Sequence, residues 1–115
     1  MTSFAEGLTP PYYAVIFANQ LREPAPGYEA MADRMAALAE TMPGYLGIES
    51  TRNSEGFGIT VSYWESESAI VNWKKQSDHL AAQDKGIREW YAHYQLRVAR
   101  IERAYSGPDG RPAVK

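Results

Sequence analysis

The sequence contains no cysteine, and this absence excludes several kinds of chemistry. Without thiols the chain forms no disulfide, has no thiolate nucleophile and ligates neither an iron–sulfur cluster nor zinc through sulfur. It has only two histidines, so a typical zinc site would also need carboxylates. The sequence also lacks a glycine-rich phosphate loop, an HExxH motif, a nucleophile elbow and a dinucleotide fingerprint.

Long apolar runs and basic clusters are missing as well. The formal net charge is −2 over 115 residues, and no basic stretch interleaves with the aromatic residues, so we expect no nucleic-acid partner. No apolar run approaches the roughly 18 residues that a membrane span needs, and no signal peptide is visible at the start. The sequence therefore predicts a cytoplasmic, single-domain protein with no membrane association.

The first predicted strand is Tyr12–Leu21, rich in aromatic and β-branched residues. It follows residues 1–11, which have the character of a loose arm. Side chains alternate between the two faces of a strand, and here both faces are mostly apolar. One face carries Tyr13, Val15, Phe17 and Asn19, and the other carries Tyr12, Ala14, Ile16 and Ala18. Such a strand needs a cover on both sides of its sheet.

The remaining elements follow from periodicity and turn residues. A helix is predicted over Tyr28–Met42, with Ser66 as the cap of a second helix. The predicted strands are Tyr45–Asn53, Phe57–Trp64 and Tyr94–Tyr105, the last with a bulge between Val98 and Ile101, followed by a flexible tail over 106–115. The order β-α-β-β-α-β predicts an α+β, ferredoxin-like domain over residues 12–105 with a four-stranded antiparallel sheet.

Two helices cover one face of such a sheet and leave the other face apolar and open. A monomer rarely exposes so large an apolar surface. We therefore expect a homodimer in which two sheets pack face to face, with twofold symmetry.

Three segments of this sequence resemble the antibiotic biosynthesis monooxygenase superfamily. They are "PGYLGIES" (Pro43–Ser50), "GITVSYWESESAIVNWK" (Gly58–Lys74) and "HLAAQDKGIREWYAHYQLRVARIERAY" (His79–Tyr105). With the first strand, the resemblance covers residues 12–105 and is greatest with the superfamily's small bacterial members. It implies a dimeric α/β barrel, and it implies the fold more strongly than the reaction.

The resemblance implies two different chemistries. Cofactor-free oxygenases of this superfamily use a dry aromatic pocket and let a deprotonated phenolic substrate donate an electron to O2. Trp64 matches their tryptophan, whereas Thr60 and Ile70 replace their asparagine and tyrosine. Haem-degrading members use an asparagine late in the first strand, a helical tryptophan and a histidine ten positions further on.

Asn19 and Trp73 match the first two of those haem-associated positions, but Gln83 replaces the histidine. His79 is the nearest substitute. At about 100° per residue, it lies roughly 120° around the helix from Trp73. Ligation by His79 would require a break in the helix near Asp78.

These patterns predict an aromatic pocket between helices and sheet, lined by Trp64, Trp73, Phe17 and Gln83, with Asn19 and His79 as catalytic residues. It would bind a planar apolar or phenolic molecule without a cofactor. Packing or surface roles stay open for each residue, and Trp90, Tyr91 and Tyr94 are expected to cluster. The alternatives are a non-catalytic ligand-binding or stress-associated dimer and a haem-binding or haem-degrading monooxygenase.

Overall fold

The computed structural model of the chain describes residues 4–83 and 89–108. In chain order its elements are β1 (Tyr12–Leu21), α1 (Tyr28–Thr41), β2 (Tyr45–Arg52), β3 (Phe57–Trp64), α2 (Glu67–Gln83) and β4 (Tyr91–Ile101). The predicted order β-α-β-β-α-β is confirmed. Of the predicted tail 106–115, only residues 106–108 are among the described residues, and the bounds of arm, domain and tail stay predictions.

The four strands form one sheet in the order β2-β3-β1-β4. All three neighbouring pairs are antiparallel, which gives the ferredoxin-like α+β fold expected from the sequence. β1 and β3 occupy the centre, so the residues that they carry are positioned from both sides by backbone hydrogen bonds. β2 and β4 form the edges of this sheet.

The last strand differs from its prediction. It begins at Tyr91 and ends at Ile101, and its register against β1 is unbroken from Tyr12↔Ile101 to Gln20↔His93. The irregularity lies at Gln20/Leu21, opposite the start of β4, so the bulge predicted between Val98 and Ile101 is wrong. The alternation of apolar and polar residues along β4 does not indicate a buried face, because most residues of this strand are exposed.

One side of the sheet, the helix-facing side, carries Tyr13, Val15, Phe17 and Asn19 of β1. Val15 and Trp64 pack there against Ala39 of α1 and Ile70 of α2. The start of α2 is fixed as predicted, because Ser66 Oγ accepts a hydrogen bond from Ala69 N over 3.1 Å. The core therefore lies under the helices, between the sheet and both of them.

The opposite side, the outer face, carries Tyr12, Ala14, Ile16 and Ala18 of β1. β3 adds Phe57, Ile59, Val61 and Tyr63 to it, of which Phe57 is 44% exposed and Ile59 37%. The arm contacts β2 at one point, where Ala5 N donates to Glu49 Oε2 over 2.9 Å. Within the described residues, no helix is long and apolar enough to cross a membrane.

Candidate functional site

Asn19 and Arg52 meet on the helix-facing side, near the end of β1. Both residues pair with Gly58 of the intervening strand β3, one from each side. A Cβ atom on Gly58 would lie 2.6 Å from Arg52 Cζ, so any other residue would displace the guanidinium from its position across β3. The glycine lets a side chain from an edge strand reach the central strand two places away.

The guanidinium of Arg52 makes three hydrogen bonds to neutral acceptors. Nη2 donates to Asn19 Oδ1 and to the Tyr28 hydroxyl, each over 2.8 Å. Nη1 donates to the carbonyl of Gly56 over 2.6 Å. Gly56 has a positive φ of 92° in the turn between β2 and β3, so the turn itself helps to hold the cation. None of these three bonds neutralises its charge.

Asn19 is only 2% exposed, so its amide needs partners inside the protein. Its oxygen accepts from Arg52. Its nitrogen donates to the carbonyl of Phe17 over 3.4 Å, which is long for an N–H···O bond. The amide nitrogen is therefore held loosely and remains a potential donor to a bound molecule.

An aromatic cluster surrounds this polar group. Phe17 contacts Tyr91 and Tyr94, with ring centroids 5.3 and 5.4 Å apart, and Tyr28 contacts Tyr91 at 5.9 Å and Trp90 at 6.1 Å. The Trp90 indole N–H donates to the carbonyl of Pro26 over 3.0 Å. The predicted grouping of Trp90, Tyr91 and Tyr94 is thus confirmed, with Phe17 and Tyr28 as further members.

Tyr91 has a raised pKa, chiefly because burial removes water from its hydroxyl. The neighbouring Tyr28 also raises it, through its charge and a hydrogen bond, while Arg52 lowers it. A neutral Tyr91 is a hydrogen-bond donor and not a base at ordinary pH. This end of the sheet is therefore rich in donors and partly shielded from water.

The two predicted pocket tryptophans form a separate pair. Trp64 has no exposed surface, its ring stacks on that of Trp73 at 5.8 Å, and its indole N–H donates to Ser62 Oγ over 2.9 Å. Trp64 pairs with Tyr13 in the register, which is six residues or about 20 Å along β1 from Asn19. The structure therefore brings Asn19 together with Phe17, and Trp64 with Trp73, at different places on the same side.

Between these two places, β4 exposes apolar side chains on the helix-facing side. Leu96 pairs with Phe17 and Val98 with Val15, so both side chains lie on that side. Tyr94, Leu96 and Val98 are 43%, 40% and 49% exposed. Together with Phe17 they form an apolar strip, which we call the β4 strip, that leads up to Asn19 and Arg52.

The two remaining predicted site residues lie late in α2. His79 is on an exposed side of the helix, unlike Trp73, which packs against the core. Gln83 ends α2, and its side chain lies outside the described residues. Ligation of haem by His79 stays a prediction. Within residues 4–83 and 89–108, no cluster of three or more His, Asp or Glu side chains could hold a metal ion.

Sequence reasoning missed Arg52 and Tyr28. Arg52 ends an edge strand, where a charged residue ordinarily meets solvent, and Tyr28 opens a helix far away in sequence. The one available signal was Gly58, because a glycine inside a strand often marks a close approach by another group.

Comparison with known proteins identifies relatives of this chain. The family model described as antibiotic biosynthesis monooxygenase matches residues 14–85. An uncharacterised protein of Bacillus subtilis, YqjZ, is 50% identical over 94 residues, which are 82% of each chain.

Solved structures share the fold at low identity. SnoaB of Streptomyces nogalater, described as a cofactor-independent oxygenase, superposes with a TM-score of 0.68 at 11% identity over 82% of this chain and 96% of its own. The protein PA3566 of Pseudomonas aeruginosa gives 0.64 at 12% identity over 85% and 99%. At such identities the likeness shows the fold alone.

Proposed function

Because this chain belongs to the antibiotic biosynthesis monooxygenase family, we propose that it binds a planar apolar or phenolic molecule on the helix-facing side of its sheet. The molecule lies on the β4 strip and is oxygenated by O2 without a cofactor. The observation that carries this proposal is the position of the strip. An exposed apolar surface of Tyr94, Leu96 and Val98 leads directly to the hydrogen-bond donors of Asn19 and Arg52.

The roles of the residues follow from their chemistry. The β4 strip, which includes Phe17, removes the apolar faces of a flat ring system from water, and this favours binding in proportion to the area buried. Asn19 holds the ligand oxygen, since its amide nitrogen makes only a 3.4 Å bond inside the protein. A preorganised donor at that oxygen stabilises negative charge as it develops. Trp64 and Trp73 pack α2 against β3 at the other end of the sheet.

The proposed oxygenation consumes one molecule of O2 and needs no other reagent. A phenolic anthrone loses the two hydrogens of its ring methylene, which becomes a carbonyl. One atom of O2 enters that carbonyl and the other leaves as water. Loss of the first proton produces an anion that donates an electron to O2, so a site that stabilises the anion lowers the barrier. His79 stays a predicted proton acceptor in this step, as does a tyrosine.

Oxygen uptake tests the proposal directly. Dithranol, a dihydroxyanthrone, is mixed with the protein in an oxygen electrode in the presence of a metal chelator. We expect O2 consumption above the spontaneous rate, and a loss of about 100-fold or more in Asn19→Ala, the size typical of removing an oxyanion donor. A rate equal to the spontaneous one would contradict catalysis.

A second function is supported by Thr60. This residue lies on the helix-facing side opposite Phe17, and its hydroxyl is already hydrogen-bonded to Ser50 Oγ at 2.8 Å. The position that carries an asparagine in the oxygenases which the sequence resembles is therefore engaged within the sheet. A non-catalytic binder of the same aromatic ligands would bind dithranol without consuming O2, which the same experiment reveals.

We also propose that the outer face is covered by a second copy of this chain. Its centre is apolar, with Ala14, Ile16 and Val61 on adjacent strands, while Phe57 and Ile59 remain exposed in the single chain. Sheet-to-sheet packing would bury these side chains. The β4 strip lies on the other side and stays available for a ligand.

A further inference from the structure

Arg52 is a cation placed among groups that cannot neutralise it. The guanidinium has five N–H donors, and three of them are used on Asn19, Tyr28 and Gly56. Within residues 4–83 and 89–108, the donor on Nε and one donor on Nη1 have no hydrogen-bond acceptor. All three of its acceptors are neutral, so the group keeps its full positive charge beside the β4 strip.

The neighbours of Arg52 add donors more than acceptors. The Tyr28 oxygen accepts a hydrogen bond from Arg52 Nη2, and the neighbouring Tyr91, whose pKa is raised chiefly by burial, keeps its hydroxyl proton as a donor. The Asn19 oxygen accepts from Arg52, and its amide nitrogen, which makes a 3.4 Å bond to the carbonyl of Phe17, has a second N–H to donate. A group with spare donors and a retained positive charge recognises an anion.

The space for Arg52 is built into the sheet. Gly58 allows the side chain to cross β3, since a Cβ there would meet Cζ, Nη1 and Nη2 of Arg52 at 2.6, 2.7 and 2.9 Å. The turn carbonyl of Gly56 and the ring of Tyr28, whose centroid lies 5.2 Å from Cζ, hold it from two further directions. These contacts fix the conformation of a long side chain before a ligand binds, so binding loses less side-chain entropy.

From this geometry we propose that Arg52 makes the site selective for the anionic form of its ligand, that is, for an acidic planar phenol bound as the phenolate. Arg52 would contact the phenolate oxygen together with the Asn19 amide nitrogen, while the ring lies on the β4 strip. This inference rests on the proposed aromatic site but not on turnover. It names a specificity-determining residue that sequence reasoning did not single out.

Two probes that differ by one methyl group test the proposal. 4-Nitrophenol ionises and changes its absorption on doing so, whereas 4-nitroanisole has nearly the same shape and cannot ionise. Near the free phenol's own pKa, both of its forms are present. We expect the bound phenol to show the phenolate spectrum and to bind at least about tenfold more tightly than 4-nitroanisole, as a charge-assisted contact implies.

Three variants separate charge from packing. Arg52→Gln should lose most of that preference while 4-nitroanisole binds as before, and Arg52→Lys should keep part of it. Arg103→Gln, which removes an exposed arginine beyond the end of β4, is the matched control and should leave both affinities unchanged. Circular dichroism checks that each variant is folded, and Arg52→Lys decides the question if Arg52→Gln is not.

The outcomes distinguish the two proposals. Equal affinity of the wild-type protein for both probes would overturn the role of Arg52 and leave the aromatic site intact. The same holds if Arg52→Gln retains the preference for phenolate. If the wild-type protein binds neither probe, both the proposed aromatic site and the proposed role of Arg52 are wrong.

Discussion

Arg52 Nη2 lies 2.8 Å from Asn19 Oδ1, although the two residues belong to strands that are separated by a third. The contact depends on the missing side chain of Gly58, which stands between them in the register. A buried amide and a cation are thereby fixed to one another at the end of the sheet where the aromatic cluster lies. Both the proposed ligand site and its preference for an anion follow from this relationship.

Gly58→Ala should destabilise the protein by about 1–3 kcal/mol, because the new methyl group displaces the guanidinium of Arg52 from its three hydrogen bonds. The same change in an Arg52→Ala background should cost much less, since the overlapping atoms are gone. Urea unfolding of the four proteins gives the coupling energy as a double-mutant cycle. Equal costs in both backgrounds would show that Gly58 does not make room for Arg52.

Trp64 should be the most sensitive position of the core. Its side chain is completely buried and stacks on Trp73, so Trp64→Ala should reduce the free energy of unfolding by about 3–5 kcal/mol. Val71→Ala on the same helix as Trp73, at a position 55% exposed, is the control and should change stability by less than about 0.5 kcal/mol. Similar losses for both variants would contradict the assignment of Trp64 to the core.

Tyr63 should make stability depend on pH in the alkaline range. Burial, followed by a hydrogen bond to Glu49 and its charge, raises the pKa of Tyr63 from 10.0 to about 12. The folded state therefore holds this proton more tightly than the unfolded state. The resulting stabilisation is complete below pH 10 and is lost as the pH rises towards about 12.

Denaturant unfolding at several alkaline pH values measures this effect. The free energy of unfolding of the wild-type protein should fall above pH 10, and that of Tyr63→Phe should fall less steeply. Tyr105→Phe, at a position 50% exposed, is the control and should follow the wild type. A Tyr63→Phe curve parallel to that of the wild type would refute the prediction.

The outer face should control the oligomeric state. Val61→Glu places a charge in the centre of that face, and we expect the wild type to sediment as a dimer and this variant as a monomer. Val98→Glu introduces the same charge on the helix-facing side, where Val98 is 49% exposed, and should remain dimeric. Analytical ultracentrifugation distinguishes these cases, and a monomeric wild type would overturn the proposed dimer.

Haemin separates the haem alternative from the other two. His79 is exposed on α2 whereas Trp73 packs against the core, so we expect no stoichiometric shift of the Soret band when haemin is titrated into the protein. A shift that saturates at one haemin per chain and disappears in His79→Ala would reinstate haem binding. Trp64→Ala is unsuitable as a control here because it is expected to impair folding.

The sequence predicts most of the fold because β-branched and aromatic residues mark β1 and β3, and the helical spacing of apolar residues marks α1. β1 and β3 have the predicted bounds, and α1 differs only at its last residue. The end of the chain is predicted less well. β4 is an edge strand whose two faces are both largely exposed, so its alternation carries little information about its ends or its bulge.

The candidate site was only partly predictable. Asn19 and Phe17 stand out because a buried amide on an apolar strand face requires partners. Arg52 does not stand out in the sequence, because its side chain reaches the site by crossing a neighbouring strand. Local periodicity does not encode such a contact. Trp64 and Asn19, which the sequence assigns to one pocket, lie about 20 Å apart along β1, and residue types alone do not reveal that separation.

The most direct test of the central claim is an NMR titration of protein labelled at the Ile, Leu and Val methyl groups, with 4-nitroanisole as a neutral aromatic ligand. We expect saturable shifts at Leu96 and Val98 on the β4 strip, with Ile59 and Val61 of the outer face unaffected. Shifts confined to Ile59 and Val61, or none at any methyl group, would contradict a ligand site on the helix-facing side.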